Sequence, residues 1–116
     1  MKSIKIRIGN KNIISNVKLL ESQLEQSIGL MFKKKGNVMM KLRKESIPYS
    51  SIHTFFCKPL IVAWLNKNMK VVDVKKTKSF WFYSSKKPAM YIFETTNMRT
   101  EIKIGQKWKI LSDNSS

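Results

Sequence analysis

Scarcity of three residue types closes off most catalytic chemistry in this chain. One cysteine, Cys57, excludes an intramolecular disulfide and a cysteine-rich metal site. One histidine, His53, excludes a two-histidine metal centre. No cofactor, no metal and no disulfide-linked partner is therefore expected, and a reduced, cytoplasmic location fits best. Long apolar runs are also missing. The longest, Leu60 to Leu65, falls far short of the ~20 residues that a helix needs to cross a bilayer. The first eight residues alternate, without an apolar stretch of signal-peptide length. Neither a phosphate-cradling loop, nor a dinucleotide-binding glycine pattern, nor a nucleophile elbow is present.

Acidic residues are the third scarcity. Seven Asp and Glu stand against 23 Lys and Arg, for a formal charge of +16. Such a field favours a polyanion such as nucleic acid, through counterion release, or an anionic membrane surface. AT-rich codon usage accounts for the dominance of lysine over arginine but accounts poorly for the lack of acids. At 116 residues the chain has the size of one domain, 1–116, with frayed ends expected at 1–3 and 113–116.

What is present reads mainly as strands. Ile4, Ile6 and Ile8 alternate with Lys5 and Arg7, the period of a half-buried strand. The cluster Gly9–Asn12 turns the chain, and Ile13 to Val17 returns as the second arm of a hairpin. Leu20, Leu24 and Ile28 recur every four residues and predict one short helix, ended by Gly29. Further strands are expected over Val38–Leu42, Ile52–Phe56, Leu60–Leu65, Val71–Val74, Ala89–Phe93 and Trp108–Leu111, with a hairpin turn at Asn66–Asn68. The uninterrupted Leu60–Leu65 run predicts a strand covered on both faces, at the centre of the sheet. The fold class is thus α+β and β-rich, a curved, mostly antiparallel sheet or partly closed barrel of about seven short strands with one short helix.

Three ordered blocks carry a family resemblance. Gly29-Leu30-Met31-Phe32 follows the predicted helix. Ile52-His53-Thr54-Phe55-Phe56, Pro59 to Asn66 and Lys70 to Val74 form the second block. Lys86 to Glu94 and Ile102 to Lys107 form the third. Together, from about Ile13 to Leu111, they resemble the domain of unknown function 192 family, in its archaeal, cytoplasmic form. The resemblance implies a compact β-rich fold and brings no established activity. Three positions depart from the pattern of similar sequences: Ile61 replaces an acid, Gln26 replaces a basic residue, and the glycine expected soon after Glu94 is absent. Asn97 is the nearest substitute for a left-handed turn.

Chemistry-bearing residues are few. His53 with Asp73 and Glu94 could form a small-ligand pocket, although a strand histidine bonded to backbone and a surface ion pair at Glu94 are the plainer expectations. Cys57 and His53 lie four residues apart, ~13 Å along a strand, too far for a nucleophilic pair. The methionines, including Met39, Met40, Met90 and Met98, read as core filler. The richer candidate is basic and aromatic: Lys75, Lys76, Lys78, Trp81, Tyr83, Lys86 and Lys87, with Lys33, Lys34 and Lys35 widening the patch. Lysines would hold phosphates while aromatic faces stack on unpaired bases. The competing arrangement puts the aromatics in the core and leaves the lysines to solvate an edge. A non-catalytic binding or accessory domain is the primary expectation, and nonspecific nucleic-acid binding the alternative.

Overall fold

The computed structural model describes residues 2–10, 12–21, 36–46, 52–53, 59–78 and 82–113. Their strands are β1 (Lys2–Ile8), β2 (Asn12–Leu20), β3 (Asn37–Ser46), β4 (Ile52–His53), β5 (Ile61–Leu65), β6 (Val71–Lys76), β7 (Phe82–Tyr83), β8 (Ala89–Thr95) and β9 (Trp108–Asp113). Seven of them form one sheet in the order β6-β5-β8-β3-β2-β1-β9, while β4 and β7 pair separately. Every neighbouring pair in the large sheet is antiparallel except β2 and β3, which are parallel.

The first strand behaves as its alternation predicts. Ile4, Ile6 and Ile8 are buried, and Lys5 and Arg7 are exposed. Beside it, β2 carries a bulge: Ile4 faces Val17 but Ile6 faces Ile14. Asn16 absorbs the extra residue at φ 58°, a left-handed conformation that asparagine tolerates better than most. A matching register shift in β9 lies on the other side of β1. Such bulges bend strands and increase twist, which curls the sheet.

Curling brings the two edge strands together. The N–H of Trp108 donates to the carbonyl of Met69 (2.9 Å), that of Val71 to Gln106 (2.9 Å), and that of Gly105 to Val71 (2.8 Å). Lys70 and Lys107 face each other as an antiparallel bridge. The start of β6 is thereby stitched to the start of β9, and the sheet becomes a partly closed barrel.

The curl also explains why β5 is buried along its whole length, although it lies one strand from the edge and not at the centre. Ala63 and Leu65 point into the barrel with Ile4, Ile6, Ile8, Val17, Met39, Phe93 and Trp108. There the Phe93 and Trp108 rings meet edge-on at 5.1 Å. Val62 and Trp64 point the other way, into a second apolar layer with Leu20, Val38, Met40, Leu42, Leu60, Ala89 and Ile92. Tyr83 of β7 packs against this second layer from outside the barrel.

Several expectations change. Leu20, assigned to the start of a helix, ends β2 in register with Met40. There the ladder to β3 and burial against Met40 outweigh local helix preference. The rest of that helix, from 22 onward, lies outside the described residues, as does Cys57. Asn97 does not take a left-handed conformation, since among the described residues Asn16 and Met69 are the non-glycine positions of positive φ. Instead Asn97 holds its turn by accepting the Arg99 N–H on its side chain (3.1 Å) and the Thr100 N–H on its carbonyl (3.1 Å). Met39 and Met40 fill the core, but Met98 is 40% exposed.

Candidate functional site

Strand register sets the site. On the outer face of the barrel one row runs Lys18, Val38, Glu94, Val62, Lys75 across β2, β3, β8, β5 and β6. The next row runs Leu20, Met40, Ile92, Trp64, Asp73. Side chains two apart on a strand share a face, so both acids emerge into the second apolar layer. Glu94 is 4% exposed, between Val38 and Val62. It is not the surface ion partner that its sequence neighbourhood suggested, because β8 carries it inward past Lys86 and Lys87. Desolvation in this apolar setting pushes its pKa from 4.5 up to about 7.

Asp73 is equally buried but well supplied. Its Oδ1 accepts the Val74 N–H (2.9 Å) and its Oδ2 the Lys86 N–H (3.0 Å). The Lys75 ammonium stands 3.8 Å from Oδ2, donates to the Ser84 carbonyl at 2.7 Å, and lies 5.5 Å from the Trp64 ring centroid. Lys75 is therefore committed to anchoring the 84–86 turn onto β6. Glu94 and Asp73 sit two strands and one side-chain repeat apart, ~12 Å between backbones. His53 pairs through its backbone with Phe82, and its side chain is outside the described residues. Among the described residues no three His, Cys, Asp or Glu side chains assemble a metal-binding group.

The basic-aromatic patch is only partly brought together. Lys76, Lys78, Lys86 and Lys87 are exposed. The Tyr83 ring rests on the outer apolar layer, and its hydroxyl accepts the Lys78 N–H at 2.8 Å. Lys33, Lys34, Lys35 and Trp81 lie outside the described residues. Phe82, next to Tyr83 in the same segment, is an exposed aromatic here, at 67%.

Cations along β1, β9 and the seam between β9 and β6 were not singled out by sequence. Arg7 stands directly across from Lys109, and Lys70 directly across from Lys107. All four are exposed, and among the described residues none of them makes an ion pair. Their alternation with buried neighbours showed that they face outward. Which strands lie side by side is a property of the barrel, and no local pattern encodes it.

A UPF0127 protein of Pyrococcus furiosus is 36% identical to this chain over 86 residues, which span 72% of this chain and 74% of that one. The chain belongs to the UPF0127 family. A Thermococcus kodakarensis UPF0127 protein is 38% identical over 81 residues, covering 67% of this chain and 52% of its own length. No model of a known protein family matches the chain. Two crystal structures share the fold of this UPF0127 member at 14% identity. One is a Novosphingobium aromaticivorans protein of unknown function, at TM-score 0.80 over 92% of this chain and 84% of its own. The other is a Sinorhizobium meliloti protein proposed to be a transcription regulator, at TM-score 0.81 over 95% and 94%. At this identity the likeness is one of fold alone.

The departure at Ile61 can now be placed. Ile61 is 2% exposed and faces Thr95 across the β5–β8 ladder. The Thr95 hydroxyl donates to Asn37 Oδ1 (2.5 Å) and accepts the Asn97 N–H (3.0 Å). This UPF0127 member thus has an alkyl group beside a polar pair whose bonds are already made.

Proposed function

We propose that this UPF0127 protein is a small non-catalytic binding domain whose partner carries dense negative charge. The observation that carries the reading is the excess of exposed cations over exposed acids, which among the described residues are Glu21, Glu45 and Glu101. Asp73 and Glu94 are withdrawn into the apolar layer, and Glu45 is occupied by the Lys67 N–H at 2.7 Å. Cations, in contrast, stand exposed on β1, β3, β6 and β9, and twice lie directly opposite one another. Like charges placed opposite each other on a sheet are unfavourable for folding, so their return lies in what they bind. Lys76, Lys78, Lys86 and Lys87 contribute to the same field, whereas Lys75 and Tyr83 are engaged within the fold.

The three ordered sequence blocks support the narrower family assignment, domain of unknown function 192, and the low cysteine count supports a cytoplasmic setting. Titration calorimetry with long-chain polyphosphate tests the binding reading, with binding expected at about 50 mM salt and lost at about 500 mM as counterion release weakens. Absence of binding at the lower salt concentration refutes it.

A further inference from the structure

Five cations on the outer surface follow one another without a break across the seam of the barrel. Lys70 faces Lys107, which lies two residues before Lys109 on the same side of the chain. Lys109 faces Arg7, and Arg7 lies two residues from Lys5. Their neighbours Val71, Trp108, Ile8, Ile6 and Ile4 all point into the barrel core, so alternation turns the five outward. All five are exposed. Successive members are separated by ~5 Å across strands and ~7 Å along them, so the series extends on the order of 20 Å. Backbone bonds hold it in place: the N–H groups of Gly9, Val71 and Trp108 donate to the carbonyls of Lys107, Gln106 and Met69.

We propose that Lys70, Lys107, Lys109, Arg7 and Lys5 form a track for the phosphodiester backbone of a nucleic-acid strand. The inference rests on the polyanion reading above and names both its partner and its surface. A single file of cations at short, regular intervals suits a linear polymer of phosphates. A lipid surface is flat, and a convex barrel wall meets a plane at only a few side chains, whereas a strand can bend along the wall. Ile13, 55% exposed and paired with Arg7, offers an apolar neighbour to sugars or bases. Lysine and arginine on phosphates carry no base readout, so the track is indifferent to sequence.

The test is fluorescence anisotropy with labelled single-stranded DNA and RNA oligonucleotides of mixed sequence, and with vesicles containing phosphatidylserine, across a salt series. The double variant Arg7→Gln/Lys109→Gln is compared with Lys86→Gln/Lys87→Gln, which removes equal charge elsewhere. Loss of two phosphate contacts is expected to weaken oligonucleotide binding by on the order of tenfold at low salt and to lower the log–log salt slope by about 1.4. The control pair should change both far less, and Arg7→Lys/Lys109→Arg should restore binding. Thermal unfolding of the track variant should match or exceed that of the parent, because an unfavourable pairing is relieved. Lys70→Gln/Lys107→Gln, at the other opposed pair, repeats the test should the first variant fold poorly. Equal losses in the track and control variants overturn the track and leave the polyanion reading intact. Binding to vesicles or polyphosphate without binding to either oligonucleotide does the same. If no polyanion binds at all, both fall.

Discussion

Glu94 is the residue at which chemistry and stability meet most directly. An acid whose pKa rises from 4.5 to about 7 on folding holds a proton in the native state through a range in which the unfolded chain has lost it. Between those values the native state binds more protons, so stability falls as pH increases. Below pH 4.5 both states are protonated and the carboxyl costs nothing. Above pH 7 the full cost, about 3 kcal/mol, is present. Denaturant titrations of the wild type and Glu94→Gln at pH 5 and pH 8 should show the variant gaining about 3 kcal/mol relative to the wild type at the higher pH. An unchanged difference would mean that the carboxylate finds compensation that the apolar layer does not suggest. Asp73 makes the contrasting case, because its two oxygens satisfy backbone donors. Asp73→Ala leaves the Lys86 N–H without its acceptor and should cost about 1–3 kcal/mol. Loss of order at 84–87, read by amide exchange, should accompany it.

The β5–β6 hairpin was the element most legible in the sequence. Its Asn66–Asn68 turn sits where the polar cluster predicted, and Asn66 Oδ1 accepts the N–H groups of Asn68 (2.9 Å) and Lys70 (3.1 Å). Asn66→Ala removes both and should lower stability by about 1 kcal/mol, measurable as a shift in denaturation midpoint without a change in slope. A larger loss would show that the turn also sets the barrel seam, which begins at Met69. The β1 alternation and the doubly covered β5 were equally readable, because side-chain period and burial are local properties. Less could be read where the outcome depended on tertiary partners. Leu20 fits a helical stripe by spacing, yet pairing with Met40 makes it a strand residue. Glu94 ends an apolar run seven residues after Lys87 and read as a surface ion partner, yet its cross-strand neighbours are valines. Tyr83 read as a stacking surface, and the outer apolar layer claimed its ring. The cation track was invisible for the same reason, since its five members come from β1, β9 and the residues just before β9 and β6.

Across the whole molecule, the charge of +16 is carried on a body only 33 × 31 × 29 Å in extent. At about 10 mM salt the screening length is ~30 Å, so each cation feels nearly all the others and the compact state is strained by self-repulsion. At about 500 mM the screening length shrinks to a few ångströms and only adjacent pairs such as Arg7 and Lys109 still interact. Melting temperature should therefore rise by roughly 5 °C over that range, equivalent to about 1 kcal/mol for a chain of this size. A binding partner acts through a different law. Ligand bound to the folded state stabilises it in proportion to the logarithm of concentration over dissociation constant. Micromolar oligonucleotide at low salt should thus raise the melting temperature by several degrees while contributing almost nothing to ionic strength, and added salt should abolish this increment even as it raises the baseline. These opposite salt dependences separate general screening from occupancy of a site. A melting temperature that responds to oligonucleotide no more than to an equal ionic strength of sodium chloride would reduce the positive charge to a compositional trait.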